Sequence, residues 1–376
     1  ISQLFGELLS VWLVNEWRQL GKPPQIRLVE MGPGRGTLMA DILRATRAWP
    51  SFRLALRHIE LVEPSPSLRA SQQRELKAKQ NKSSAQDQKL MSTEEWHLPQ
   101  EQIFNPNIRA RWHETLASVP SDGVPCFVLA QEVLDAMPGH QFVMTETGDW
   151  REKLVDVDDD PLNEDRFRFV LAPTATPASH ALIHSSTLKN MTSNMQQNQT
   201  EKVITAEVSP SALAVVDEVA RRIAASGGGA LFIDYGRHSC LGDTLRAFYR
   251  HEQLSPLCDP GLVDLTIDVD FQACGRQAAK VEGAAVFGGL EQGEFLGRMG
   301  IVERLQALLN NDSLTDDDID RMITACETLC HADQMGSRYK VLAIVQGDHE
   351  QRQTPAGFIP EDRVRRPTSH FDIIAP

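Results

Sequence analysis

The chain has 376 residues, of which 38 are basic and 51 acidic, so its formal net charge is −13. This length is enough for one large or two modest domains, each with a sizeable core. The acidic balance and the lack of a lysine or arginine block argue against a nucleic-acid partner. No apolar run reaches the roughly 18 residues that would span a membrane.

The first predicted element is an amphipathic helix over residues 3–20, which Gly21 and the two prolines at 23 and 24 would end. The chain begins with isoleucine and enters directly on this helical pattern. We therefore expect that a segment upstream of this helix was removed or never included.

A strand, a glycine-rich loop and a helix follow, and they form the most informative stretch of the chain. An apolar run contains Glu30 near its end, and glycines then occupy alternate positions at Gly32, Gly34 and Gly36, before a helix over about 36–48. Glycine lets backbone approach a ligand closely or adopt a positive φ. The spacing G-x-G-x-G is one residue shorter than the dinucleotide fingerprint. It favours S-adenosylmethionine, which has no pyrophosphate, over NAD or FAD.

A second apolar run, residues 58–62, ends at Glu63. In a βαβ unit, an acid at the end of the second strand can accept hydrogen bonds from both ribose hydroxyls. The glycine loop and this acid together predict a nucleotide or nucleoside site.

The remaining pattern alternates strands with helices, which is typical of a doubly wound α/β sheet. Strands are predicted at 108–113, 126–130, 230–234 and 339–345, and helices at 209–226, 293–310 and 315–332. A hairpin over 141–157 and a third strand at 167–171 interrupt this order as an antiparallel insertion. Ligands of such a sheet bind beyond the carboxyl ends of its strands. Four acids fall there: Glu30, Glu63, Glu132 and Asp234.

These patterns predict the domain organisation of the chain. Residues 1–138 would hold the N-terminal helix and the first part of the nucleoside-binding domain, with a mobile polar insertion at 79–108. The antiparallel insertion would occupy 139–200. Residues 201–346 would complete the domain and include a loop-rich, substrate-side segment at 240–290, and 347–376 would form an irregular tail.

Seven motifs in the chain resemble the MidA family, and they occur in family order. They are ISQLFGELL (1–9), VEMGPGRGTL (29–38), LVEPS (61–65), EVLDAMPGHQF (132–142), LAPTATP (171–177), FIDYG (232–236) and DPGLVDLTIDVDF (259–271). The family has the class I methyltransferase fold, so the resemblance implies a seven-stranded Rossmann-like sheet with extra C-terminal helices and S-adenosyl-L-methionine as cofactor. It includes a mitochondrial protein arginine methyltransferase that assists assembly of respiratory complex I.

The resemblance implies an S-adenosylmethionine-dependent protein arginine N-methyltransferase. Its expected partner is a complex I subunit, which would be symmetrically dimethylated in support of complex I assembly. The expected compartment is the mitochondrial matrix in a eukaryote or the cytoplasm in a bacterium. A non-catalytic assembly chaperone with a structural cofactor pocket is the alternative. An NAD-dependent oxidoreductase is disfavoured by the glycine spacing and by the absence of a Tyr-x-x-x-Lys pair.

Candidate site residues follow from the motifs and the resemblance. An arginine acceptor is a poor nucleophile while its charge is delocalised, so carboxylates are needed to fix it and to accept the proton. By resemblance the first choices are Glu132 and Asp135, although Asp135 could instead cap a turn. Alternating acids that include Asp264 and Asp268 form a second candidate, and a solvated edge strand is the competing interpretation. Expected cofactor-binding residues are Glu30, Gly32, Gly34, Gly36, Glu63 and Gln131.

The six cysteines form no CxxC pair. Cys326 and Cys330 lie four residues apart on a predicted helix, but two thiols supply too few ligands for zinc. We interpret them as ordinary thiols of a reducing compartment and predict no metal site.

Overall fold

The computed structural model describes residues 3–77, 79–80, 95–98, 108–160, 165–183, 204–239, 242–250, 252–310, 314–347 and 353–366. The chain divides into two compact units. The first unit comprises residues 1–133, 218–234 and 281–364, and the second comprises 134–217, 235–280 and 365–376.

The first unit is built on a mostly parallel sheet. Its strands are β1 (Ile26–Met31), β2 (Leu56–Val62), β3 (Lys79–Gln80), β4 (Glu95–His97), β5 (Arg109–His113), β6 (Cys126–Gln131), β11 (Gly228–Arg237), β16 (Ala284–Glu291) and β17 (Tyr339–Gln346). Their order is β16-β17-β11-β6-β1-β2-β5-β4-β3. β1 is parallel to β2 and β6, β2 to β5, and β6 to β11, whereas β16 and β17 are antiparallel.

This strand order confirms the predicted doubly wound α/β fold. Without the two short strands β3 and β4 at one edge, seven strands remain. The chain order reverses between β1 and β6, which is the topological switch point where open α/β sheets bind ligands. All six residues of β1 are buried, as expected of a strand covered on both faces.

Helices cover this sheet. They are α1 (Gln3–Gln19), α2 (Thr37–Ala45), α3 (Pro50–Ala55), α4 (Pro66–Glu75), α6 (Pro210–Ser226), α8 (Gln292–Arg298), α9 (Ile301–Leu309) and α10 (Asp316–Cys330). The predicted amphipathic face of α1 is buried in the core, where Trp12 is fully enclosed. Gly6 lets α1 approach α2 closely, because a Cβ there would lie 2.7 Å from the Cβ of Asp41. The helix predicted over 293–310 is two helices, since the left-handed Gly300 (φ 85°) separates α8 from α9.

The second unit contains the predicted antiparallel insertion. Its strands are β7 (His140–Met144), β8 (Trp150–Val157), β9 (Phe167–Leu171) and β10 (Thr205–Val208), in the order β10-β7-β8-β9. The turn between β7 and β8 contains Gly148 at φ 83°. A small core of Phe142, Trp150 and Ala206 stabilises this sheet, and α5 (Pro177–Ile183) follows β9.

A second antiparallel sheet of this unit lies in the segment that was predicted to be loop-rich. Strands β12 (Arg246–Tyr249), β13 (Glu252–Leu254) and β14 (Asp264–Thr266) pair in the order β13-β12-β14. Strand β15 (Val269–Asp270) pairs in parallel with Gly236 and Arg237. Helix α7 (Phe271–Ala279) begins after Asp270, whose side chain accepts from the backbone N–H of Ala273.

The prediction of a loop-rich stretch over 240–290 also omitted most of β16. The structure has a strand there, with a register shift between Gly288 and Leu290. A Cβ on Gly288 would lie 2.2 Å from the carbonyl oxygen of Val341. Glycine is therefore what allows β16 to pair with β17 at this bulge.

Some predicted features fall partly outside the described residues. Of the insertion predicted at 79–108, residues 81–94 and 99–107 are not described, and nor are 184–203 of the predicted 139–200 insertion. Within the predicted tail, residues 353–366 include a 3₁₀ turn at Pro360–Asp362 and the buried Phe358. Among the described helices, none combines the length and the apolarity that a membrane crossing requires.

Candidate active site

The three glycines of the loop between β1 and α2 all have left-handed backbone. Their φ values are 61° at Gly32, 52° at Gly34 and 88° at Gly36. A Cβ on Gly32 would lie 2.8 Å from Cγ2 of Val133, and one on Gly36 would lie 3.2 Å from Cα of Gln72. A Cβ on Gly34 would meet nothing within 4 Å. The loop is thus packed at both ends and borders open space at its centre.

Glu63 is tied to this loop through Gln72 of α4. Its Oε1 accepts from the backbone N–H of Ser65 at 2.9 Å, and its Oε2 accepts from Nε2 of Gln72 at 3.3 Å. The same Nε2 donates to the carbonyl oxygen of Gly34 at 2.8 Å. Glu63 is only 5% exposed, so it is not turned toward bulk water. Glu63 and the glycine loop are therefore held in fixed positions relative to one another through Gln72.

Gln72 is a site residue that the sequence analysis missed. It is fully buried, and its Oε1 accepts from Nε1 of Trp112 at 2.7 Å. The helix that carries it is almost wholly polar, so its periodicity gave no signal that this glutamine differs from its exposed neighbours.

Glu30 lies on β1 in a different environment. Its carboxyl group is fully buried and accepts from the backbone N–H of Met39, and no other described residue bonds to its Oε2. Burial raises the pKa of this carboxyl from 4.5 to about 8, and the single backbone donor opposes the shift only in part. Oε1 of Gln131, at the end of the adjacent β6, is also buried without a partner among the described residues. Two buried oxygens at the switch point therefore have unused capacity to accept hydrogen bonds.

The turn after β6 presents Glu132. Its backbone has φ 51°, a left-handed conformation that non-glycine residues rarely adopt. The Glu132 N–H donates to the carbonyl of Ile233 at 3.0 Å, and the next N–H, of Val133, donates to Oδ2 of Asp234 at 3.1 Å. The Glu132 side chain is exposed, and its Oε1 accepts from the hydroxyl of Tyr339 at 2.9 Å.

Asp135 lies in the second unit and is nearly buried. Its Oδ2 accepts from Oγ1 of Thr266 at 2.9 Å and from the hydroxyl of Tyr235. The backbone carbonyl of Asp135 also accepts from the N–H of Ile267. The guanidinium of Arg246 stacks 5.1 Å from the centre of the Tyr235 ring. Asp135 is thus integrated into a hydrogen-bonded group with Tyr235 and Thr266.

The alternating acids that follow do not share one environment. Asp264 is exposed on β14, whereas Asp268 forms ion pairs with Arg237 at 2.7 Å and with Arg246. Asp270 caps α7, and burial raises its pKa. Asp268 therefore contacts two arginines of this chain, whereas Asp264 is exposed.

These residues fit S-adenosylmethionine as the bound group. The open space beside Gly34 would admit a ligand against the backbone, and the Glu63 carboxylate can accept more hydrogen bonds than the two it has, as ribose hydroxyls would require. Glu30 Oε2 and Gln131 Oε1 can accept from further polar groups of a ligand. No cluster of three or more potential metal ligands occurs among the residues that the structure describes. Fold and site together define the class of S-adenosylmethionine-dependent methyltransferases.

Comparison with known proteins gives the family. A family model described as "Putative S-adenosyl-L-methionine-dependent methyltransferase" matches residues 8–290, and the chain belongs to this family. Its cofactor is S-adenosyl-L-methionine, which supplies the methyl group from its sulfonium when bound.

Relatives with assigned names extend the comparison. The chain is 37% identical over 357 residues to the protein arginine methyltransferase NDUFAF7, mitochondrial, of Rattus norvegicus, a match that covers 92% of this chain and 72% of the relative. It is 35% identical over 372 residues to the Homo sapiens protein of the same name, covering 94% and 74%. The resemblance inferred from the motifs is confirmed.

Two similar crystal structures come from Burkholderia thailandensis. One is a native structure of a COG1565 superfamily protein, with 26% identity, a TM-score of 0.71 and coverage of 96% of this chain and 83% of that one. The other is a COG1565 superfamily member bound to S-adenosylhomocysteine, with 25% identity, a TM-score of 0.71 and coverage of 97% and 81%.

Proposed function

We propose that this methyltransferase transfers its methyl group to the guanidinium of arginine in a protein. The observation that carries this proposal is the Glu132 carboxylate, which stands exposed and held at one oxygen just past the end of β6. The relatives that are named protein arginine methyltransferases support the same acceptor.

The cofactor would be held by the residues around the switch point. Gly32, Gly34 and Gly36 would let the backbone approach it closely, and Glu63 would accept from its ribose hydroxyls. Glu30 and Gln131 would accept from its remaining polar hydrogens.

Glu132 would act on the acceptor. A guanidinium has its positive charge delocalised over three nitrogens and is a poor nucleophile in that state. A carboxylate on two of its nitrogens would orient it, draw the charge away from the attacking nitrogen, and accept the released proton. We propose Asp135, Asp264 and Asp268 as further carboxylates for the acceptor segment, with Asp264 the most exposed of the three.

Tritiated S-adenosylmethionine and a panel of recombinant soluble complex I subunits test this proposal. We expect label in at least one subunit, on arginine after acid hydrolysis, and a fall of about 100-fold in Glu132→Gln, to a residual rate that long incubation still measures. Glu146→Gln removes an exposed carboxylate from the turn between β7 and β8 and serves as the matched control. Label on another residue type would overturn the arginine proposal. Cofactor and client binding without any transfer would instead support the assembly chaperone.

We further propose that the product is symmetric dimethylarginine on a complex I subunit, that the modification supports complex I assembly, and that a eukaryotic form acts in the mitochondrial matrix. The resemblance to the MidA family and the mitochondrial relatives motivate these points. Tandem mass spectrometry of the labelled subunit distinguishes symmetric from asymmetric dimethylation, and only monomethylarginine or the asymmetric product would contradict the first point.

A further inference from the structure

Tyr339 is the first residue of β17, and its hydroxyl donates a hydrogen bond to the Glu132 carboxylate. The two residues are 207 positions apart in the sequence, and the donor–acceptor distance is 2.9 Å. Both belong to the first unit. Strand β17 therefore begins where β6 ends, at the edge of the sheet that carries the candidate site.

The turn that carries Glu132 is fixed by its surroundings. Left-handed backbone at a non-glycine residue persists where neighbouring structure determines it, and such positions concentrate at functional sites. Here the backbone is held by the carbonyl of Ile233 and the carboxylate of Asp234. These bonds fix the main chain of Glu132 and leave its side-chain rotamers free.

Tyr339 supplies the missing restraint on the side chain. Its hydroxyl holds Oε1, and no hydrogen bond joins Oε2 to any residue in the described part of the chain. An exposed glutamate otherwise samples several rotamers, which costs entropy whenever one geometry is required. The Tyr339 hydroxyl on Oε1 selects one rotamer of the Glu132 side chain and leaves Oε2 for a ligand.

We propose that Tyr339 is a positioning residue that orients the Glu132 carboxylate toward the acceptor guanidinium; this inference rests on the proposed arginine methyltransferase function. In this role Tyr339 acts on the reaction through Glu132. Its effect should accordingly appear in the methyl-transfer step and not in cofactor binding.

The test is Tyr339→Phe, which removes the hydroxyl and keeps the ring. With the subunit labelled in the panel above as acceptor, we expect kcat to fall about tenfold, the typical effect of losing a hydrogen bond to a charged group. The acceptor KM should change less than about threefold, because a free Glu132 still attracts the guanidinium but populates the reactive geometry less often. The KM for S-adenosylmethionine and the melting temperature should stay at the wild-type values.

A double-mutant cycle with Glu132→Gln decides whether the effect passes through Glu132. We expect Tyr339→Phe to have no further effect in the Glu132→Gln background. Glu146→Gln, on the exposed turn between β7 and β8, is again the control and should behave as wild type.

The outcomes separate the two proposals. Wild-type activity in Tyr339→Phe, additive losses in the double mutant, or a parallel loss of cofactor affinity and stability would each overturn the positioning role while the arginine methyltransferase stands. A wild-type enzyme that labels no arginine would overturn the proposed function, and the role of Tyr339 with it.

Discussion

Replacing Glu30 by glutamine should stabilise the protein, and the gain should grow with pH. Burial raises the pKa of the Glu30 carboxyl to about 8 in the folded chain, from an ordinary value of 4.5. Between these values the folded state binds a proton that the unfolded state has released, so stability falls as pH rises. Because pH 7 lies about 2.5 units above 4.5, the free energy of unfolding at pH 7 is lowered by roughly 3 kcal/mol. Glutamine does not titrate, and its amide oxygen can still accept from the Met39 N–H.

Urea unfolding of wild type and Glu30→Gln at pH 5, 6, 7 and 8 measures this difference. Titrations elsewhere in the chain cancel when the two proteins are compared at each pH. We expect the free energies of unfolding to differ by less than about 1 kcal/mol at pH 5, to diverge by about 1.4 kcal/mol for each further pH unit up to pH 7, and to diverge more slowly as pH 8 is approached. Glu146→Gln, on an exposed turn, should show no such divergence. A constant difference across this pH range would refute the argument that Glu30 is protonated in the folded state.

Two further substitutions test the cofactor loop and the buried charges of the first unit. Gly34→Val should weaken S-adenosylmethionine binding at least 100-fold in isothermal titration, by filling the open space beside the loop. The control is Gly123→Val, because Gly123 is equally open and also left-handed (φ 82°). This variant should show a similar backbone strain of about 1–2 kcal/mol without loss of cofactor binding. Equal affinities in the two variants would mean that the cofactor binds elsewhere. Arg27→Met should lower the free energy of unfolding by about 3–5 kcal/mol, because Arg27 bonds to the fully buried Glu60 at 3.1 Å and to Asp122. Arg168→Met, which removes an exposed pair with Asp156, should change it by less than about 1 kcal/mol in the same urea titration.

The sequence predicted the sheet of the first unit well, because its parallel strands are short apolar runs bounded by glycine or acid. The glycine loop could also be predicted from the sequence, because left-handed backbone at three alternate positions favours glycine. Strand β16 was missed because its bulge uses the residues that usually mark a loop.

The contacts that organise the site could not be predicted from local patterns. Gln72 reaches Gly34 across 38 positions, and Tyr339 reaches Glu132 across 207. Neither residue differs from its neighbours in propensity or periodicity, so only the fold shows which one lies inside the site. The pairing of Asp268 with two arginines has the same origin, because it depends on the pairing of β12 with β14 and of β15 with Gly236 and Arg237.

The two acids that end or nearly end the first two strands differ in the hydrogen-bond donors that the protein gives them. Glu63 has two protein donors and keeps a fixed orientation before any ligand arrives. Glu30 has one backbone donor for two buried oxygens, so its surroundings in the folded chain disfavour the ionised carboxylate. A positively charged ligand would favour the ionised form of Glu30, whereas the hydroxyls of a ribose need only an acceptor already in place. Binding of S-adenosylmethionine near Glu30 should therefore release a proton near pH 7, and titrations in buffers of different ionisation enthalpy would detect it. The release should disappear in Glu30→Gln, and if it persists there, the proton comes from another group.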